Sequence, residues 1–220
     1  MTDLFSDLPD TRPERETIAE GAIALPGLAI DHDADLLRHI EAILVTSPLR
    51  GMTTPGGYRM SVTTASCGTA GWVSDEHGYR YSTRDPATQQ PWPPIPPLLL
   101  RLAQTAAAKA GFAGFVPDSC LINCYQPGAR MSLHQDKNEH DLSTPNPAPI
   151  VSVSLGLPIV FLFGGLQRSD KPIRYRLQHG DVVVWGGPGR LAFHGVAALE
   201  DGYHPLLGRR RINLTFRKAL

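Results

Sequence analysis

The sequence predicts an α+β fold that is mainly β, a double-stranded β-helix or jelly-roll core with helices ahead of it. Three observations carry that expectation. After Phe115, eight short strand-like runs follow one another with turn residues between them, at 119–125, 130–134, 150–155, 159–163, 173–177, 182–185, 191–194 and 211–217. Ahead of them, one segment has the 3.6-residue period of a buried helix and a second is rich in the helix formers Ala and Leu. The last run alternates polar and apolar residues throughout, as a strand between two unlike surroundings does. A jelly roll suits these runs because its two sheets enclose a mouth large enough for a metal and a small cosubstrate.

Taken in order, residues 1–20 are polar without a sustained period and read as a loosely held arm, ahead of a single domain over 21–220. A short strand at 23–30 is broken by Pro26-Gly27. Asp31 or Asp33 then caps a helix through Leu36, Leu37, Ile40, Ile43 and Leu44, which Ser47-Pro48 closes. Between 50 and 97, Tyr58, Trp72, Tyr79, Tyr81 and Trp92 alternate with Arg50, Arg59, Arg80 and Arg84. Such a mixture suits stacked bases and phosphates, while composition alone favours a small antiparallel sheet with half-buried aromatics. Prolines from Pro91 to Pro97 form a stiff connector, and a second helix at 98–110 stops at Gly111.

Composition narrows the function classes. The 220 residues carry 21 basic and 21 acidic side chains, a balance that argues against sequence-independent coating of duplex nucleic acid. The three cysteines, Cys67, Cys120 and Cys124, make neither a C-x-x-C pair nor a disulfide framework, so a reducing cytoplasm is the expected home. No apolar leader opens the sequence. The longest apolar stretch, 150–165, is broken by Ser152, Ser154, Gly156 and Pro158, so no membrane partner is expected.

The chemistry starts at His134-Gln135-Asp136. On a strand, residues two apart share a face, so an imidazole and a carboxylate would converge. With a second histidine they make the 2-His-1-carboxylate face that holds non-heme Fe(II) and leaves positions open. His179-Gly180-Asp181 has the same pattern but reads as a turn between strands. His194, before Gly195, is the best placed third ligand, although a lone histidine there also reads as a hydrogen-bonded core residue. In the last run, Arg211, Asn213, Thr215 and Arg217 share one face, with Ile212, Leu214 and Phe216 on the other. A solvated strand face would explain the alternation. Two guanidiniums separated by six residues of strand, roughly 20 Å, with arms reaching inward, would also frame a five-carbon diacid.

Together, Asn123-x-Tyr125, His134-x-Asp136, His194 and Arg211-x-Asn213-x-Thr215-Phe216-Arg217 resemble the AlkB-type Fe(II)/2-oxoglutarate dioxygenases that repair alkylated nucleic acid, in their bacterial form above all. The resemblance runs from about Asp3 to Arg217 and includes Thr54-Pro55-Gly56-Gly57-Tyr58, Trp72, Gly78-Tyr79, the segment 151–158 and the segment 180–187. It implies oxidative demethylation of bases such as N1-methyladenine and N3-methylcytosine in single-stranded or duplex DNA, or in RNA, with Fe(II), 2-oxoglutarate and O2. Formaldehyde, succinate and CO2 would be released. His134, Asp136 and His194 would hold the metal. Arg217 would meet the cosubstrate carboxylate beside it, while Arg211, Asn213, Tyr125 and Asn123 fix the far end. Trp72 and His134 would sandwich the flipped base, with Thr54, Tyr58, Tyr79 and Arg168 lining it or its phosphates, so that 50–97 becomes a nucleotide-recognition lid over a catalytic core at 115–220.

One position departs from the family pattern. Asn138 stands where a carboxylate is expected, so the chain should favour cationic lesions less. The longer loop at 143–147 carries no recognisable chemistry. Two other functions fit parts of the sequence: an oxygenase with the same iron and cosubstrate acting on a protein or metabolite, and a non-enzymatic jelly-roll binding module. The lid separates the first from a demethylase; the second leaves the 211–217 face unexplained. No protein partner is indicated.

Overall fold

Residues 11–220 are described by the computed structural model. Two helices, α1 (Asp33–Thr46) and α2 (Pro97–Lys109), accompany strands β1 (Glu16–Ala19), β2 (Ala22–Leu25), β3 (Arg50–Thr53), β4 (Arg59–Gly68), β5 (Gly71–Asp75), β6 (Gly78–Ser82) and β7 (Ser119–Tyr125). The second half adds β8 (Met131–His134), β9 (Ile150–Gly156), β10 (Ile159–Phe163), β11 (Ile173–Leu177), β12 (Val182–Trp185), β13 (His194–Val196) and β14 (Arg211–Arg217). They form a major sheet in the order β1-β2-β12-β9-β14-β7-β4-β3, a minor sheet β11-β10-β13-β8 and the hairpin β5-β6. Every pairing is antiparallel. Two facing antiparallel sheets make the expected jelly roll.

The two faces of the major sheet explain the alternation of β14. Its Ile212, Leu214 and Phe216 pack with Leu36 and Ile40 of α1 and with Leu99, Ala103 and Ala106 of α2. The alanines of α2 let that helix lie close on the sheet, and each large side chain fully buried there stabilises the fold by about 1.5–3 kcal/mol. A second cluster, with Tyr125, Phe161, Phe163, Trp185 and Leu177, fills the space between the sheets. The polar face of β14 turns into that space, so all seven of its residues are buried. A solvated face is excluded.

Some expected elements shift. Residues 1–10 of the expected arm lie outside the described residues, while Glu16–Ala19 is not loose but pairs with β2 as the edge strand of the major sheet. Asp33 is the first residue of α1 rather than its cap; its carboxylate bonds the Ala34 N–H and lies 3.1 Å from His179 Nε2. The strand expected at 191–194 begins only at His194, because a 3-10 turn at Gly187–Gly189 takes up the chain and Ala192 N–H bonds back to Gly189. The second H-x-D match is a turn: Gly180 has φ +83°, and the buried Asp181 accepts bonds from the Gly27 and Gln178 N–H groups and from Arg12. All three cysteines are free and buried. Among the described residues, no helix is long and apolar enough to cross a membrane.

Candidate metal centre and its cavity

β8 and β13 lie side by side with His134 directly opposite His194, so adjacent strands present two imidazoles on one face, ring centroids 4.4 Å apart. Asp136 follows β8 after one further residue. It reaches the histidines from the loop after β8 rather than along the strand, 3.8 Å from His134 Nε2 and 3.7 Å from His194 Nε2. One donor atom from each of the three lies within 4.8 Å of the others. The opposite ring nitrogens face carbonyls: His134 Nδ1 lies 2.9 Å from Ser132 O and His194 Nδ1 3.0 Å from Ala192 O. A carbonyl only accepts, so each Nδ1 carries a proton, and in the neutral ring Nε2 keeps its lone pair toward the centre.

Electrostatics set the charge of two of the three donors. Burial opposes ionisation of Asp136, but the Arg217 guanidinium beside it outweighs burial and holds the carboxyl well below the usual range. Burial and the neighbouring His134 pull His194 down to about 3, so it stays neutral at physiological pH. Two imidazoles and a carboxylate are the donor set of a non-heme Fe(II) site.

β14 brings the two arginines beside this centre. Arg217 donates from Nε and Nη2 to Asp136 Oδ2 at 2.9 and 2.7 Å. Arg211, 2% exposed, donates to Ser154 Oγ at 2.9 Å and lies over the Tyr125 ring at 5.0 Å. Its Nε and Nη1, and Nη1 of Arg217, have no hydrogen-bond partner among the described residues. Burial lowers the Arg211 pKa, which Tyr125 only partly offsets. A buried guanidinium with unspent N–H groups is costly unless an anion joins it, and a carboxylate matches its fork. Asn213 is held by Ser152 Oγ and Val153 O and accepts from Asn123 and Thr215, which fixes the polar floor between the arginines.

A cavity of about 600 Å³ gathers these groups. Its lining includes the three donors, Asn123, Tyr125, Arg211, Asn213 and Arg217, and of the expected substrate residues Thr54, Trp72, Tyr79, Asn138 and Arg168. Trp72 and Tyr79 stack at 5.6 Å and 17° on the β5-β6 hairpin, and the Asn138 amide donates to Tyr79 O at 3.2 Å, tying the hairpin to the metal-side loop. Tyr58 stands apart: it is 78% exposed at the β3-β4 turn and does not line the cavity.

Arg190 and Glu139, to which the sequence assigns no role, support the site together with Tyr81 of the 50–97 region. The buried Arg190 donates from Nη1 to Asp136 O at 2.8 Å and from Nε to Ala148 O at 2.8 Å, and pairs with Glu139 at 3.2 Å. Glu139 accepts from the Tyr81 hydroxyl at 2.7 Å and lies 3.5 Å from Arg217 Nε. The network braces the loop that carries Asp136. Its members are far apart in sequence and share no motif; only the placement of Glu139 three residues beyond Asp136 could have drawn attention.

Comparison with known proteins agrees with this geometry. The family model described as the 2OG-Fe(II) oxygenase superfamily matches residues 21–217. The chain is 52% identical over 219 residues to the alpha-ketoglutarate-dependent dioxygenases AlkB of Salmonella typhimurium and of Escherichia coli, covering 100% of this chain and 98% of each relative. Among solved structures, that of OsALKBH1 superposes with a TM-score of 0.79 at 28% identity, covering 93% of this chain and 99% of that one.

Proposed function

The chain belongs to the 2OG-Fe(II) oxygenase superfamily, and from that premise we propose that it removes N-alkyl groups oxidatively from bases in damaged DNA. N1-methyladenine and N3-methylcytosine are the expected lesions, with formaldehyde, succinate and CO2 as products. The family's reaction uses Fe(II), 2-oxoglutarate and O2. The observation that carries the proposal is a single cavity lined by a 2-His-1-carboxylate set, by two buried guanidiniums and by a stacked aromatic pair.

His134, Asp136 and His194 would hold Fe(II), whose chemistry when bound is the activation of O2 for attack on an N-methyl C–H bond. Everything else is the work of this chain's side chains. Arg217, whose Nε and Nη2 are spent on Asp136, would meet the cosubstrate carboxylate beside the metal with its buried, unpartnered Nη1. Arg211 would take the far carboxylate with its unspent N–H groups, with Tyr125, Asn123 and Asn213 around it. Trp185 and Phe161, with ring centroids 4.7 and 6.4 Å from His194, form an apolar wall that excludes water there. Trp72 and His134 would enclose a flipped base, because the target atom is inaccessible in a stacked duplex. Thr54, Tyr79, Asn138 and Arg168 would line the base or its phosphates, and Tyr58 would act from the rim.

In this reading residues 21–220 work as one domain, with 50–97 as a nucleotide-recognition lid over the core at 115–220. A cytoplasmic home goes with it, supported by three free buried cysteines. The test is formaldehyde release from methylated single-stranded DNA, duplex DNA and RNA, with and without Fe(II) and 2-oxoglutarate. Release that requires both is expected. Succinate formation without formaldehyde on every methylated oligonucleotide would favour the protein or metabolite hydroxylase instead.

A further inference from the structure

Several arginines of this chain are tied to carboxylates: Arg12 to Asp181, Arg38 to Asp35, Arg50 to Asp85, Arg80 to Asp75 and Arg209 to Asp201. Others, such as Arg59, Arg101 and Arg130, have no carboxylate partner among the described residues, and four such cations are gathered in the segment after β10. Arg168, Lys171, Arg174 and Arg176 are all exposed, and none of them forms an ion pair with a described residue. Asp170, in the middle of the run, spends its carboxylate on the Gln167 N–H of its own turn.

The topology gives these cations a direction. Phe163 pairs with both His194 and Ile173, so β11 starts two strands away from a metal donor, about 10 Å at ~4.8 Å per strand. Arg168 lines the cavity and lies over the Phe193 ring at 5.9 Å. From there the cations continue along β11, which is an edge of the minor sheet. Leu177 is buried and Tyr175 packs toward the core, so the alternation turns Arg174 and Arg176 to the outer side. None of the four strands of the minor sheet carries an acid. Two residues of strand advance about 6.8 Å, so Arg174 and Arg176 present two guanidiniums on one side of β11 at a spacing of the order of that between neighbouring phosphates of a strand.

We infer that Arg174 and Arg176, reached from the cavity mouth through Arg168 and Lys171, form a track for the sugar-phosphate backbone flanking the flipped base. The inference rests on the demethylase reading and names a surface beyond the base pocket. A charged edge strand also guards against edge-to-edge pairing, and salt dependence separates the two roles. Phosphate contacts release counterions, so each lost contact lowers the slope of log Kd against log salt by about 0.7 for a single strand.

The experiment measures binding of a methylated 15-nucleotide strand to Arg174→Gln/Arg176→Gln and to Arg174→Lys/Arg176→Lys, with Arg101→Gln on the exposed side of α2 as control. The glutamine pair should reduce the slope by about 1.4, so that wild type loses about sevenfold more affinity than the variant between 50 and 200 mM salt. The lysine pair should restore the slope, Arg101→Gln should leave it alone, and formaldehyde release from a methylated trinucleotide should be unchanged in all three. An unchanged slope in the glutamine pair, with wild type active on the same strand, would overturn the track and leave the demethylase reading intact. Wild type inactive on every methylated strand would instead remove the reading on which the track rests.

Discussion

Replacing Arg211 by methionine separates the role of the guanidinium in binding from its role in folding. The side chain is 2% exposed, with one hydrogen bond to Ser154, a ring contact to Tyr125 and two N–H-bearing nitrogens without protein partners. Burying such a charge costs several kcal/mol. The Ser154 bond offsets about 1.5–3 of that, and the ring about 1–2. Without cosubstrate the balance is therefore near zero or unfavourable, and an unbranched apolar side chain of similar length should leave the chain as stable or up to about 2 kcal/mol more stable. At about 2–4 °C per kcal/mol for a chain of this size, the melting temperature should rise by 0 to about 8 °C. The same change removes a buried partner of a carboxylate, a loss of about 2–5 kcal/mol, which weakens 2-oxoglutarate about thirty- to several-thousand-fold. Calorimetric melting with and without 2-oxoglutarate, under nitrogen, reads both effects. A variant that melts many degrees lower yet keeps the wild-type gain from 2-oxoglutarate would refute the reasoning.

Further outcomes follow from other parts of the site. Trp72→Ala should raise KM for a methylated oligonucleotide by about 5- to 150-fold, the worth of one base stack, with substrate-free 2-oxoglutarate turnover unchanged. Arg190→Gln releases the Asp136 carbonyl and Glu139, so Fe(II) affinity should fall about 10- to 100-fold in a direct metal titration. Asn138→Asp places a carboxylate at the cavity and should raise the rate on N1-methyladenine relative to a neutral adduct; equal relative rates would count against it. Burial works against the Asp85 carboxyl, but Arg50 holds its pKa below the ordinary value. The unfolded chain therefore binds more protons in acid, and the pair's contribution is present above about pH 4 and lost as pH falls through the folded-state value. The difference in melting temperature between wild type and Asp85→Asn should accordingly shrink below about pH 4.

Much of this site is local, and for that reason the sequence reveals it. The alternation of 211–217 defines two faces whatever the environment, and the structure adds that the polar face is enclosed, because sheets and helices cover both sides of β14. His134 and Asp136 are close in sequence and remain close in space. His194 depends on register: it was expected at the end of a strand, but opens one, and it reaches His134 only because β13 pairs with β8. Tyr81, Glu139 and Arg190 form bonds between residues more than 50 apart in sequence, and no period or spacing encodes them. The same holds at the N-terminus, where the polar residues Glu16 and Thr17 gave no strand signal and β1 forms by pairing with β2.

In the proposed reaction the two histidines and the aspartate grip iron while the guanidiniums of β14 hold a keto diacid beside it. Anaerobic titration of 2-oxoglutarate into the Fe(II)-loaded chain, followed by calorimetry, tests it most directly. One equivalent should bind, much more weakly when Fe(II) is omitted or His194 is replaced by alanine, and more weakly again in Arg211→Met. Binding of equal strength with and without Fe(II), or unchanged in Arg211→Met, would contradict it.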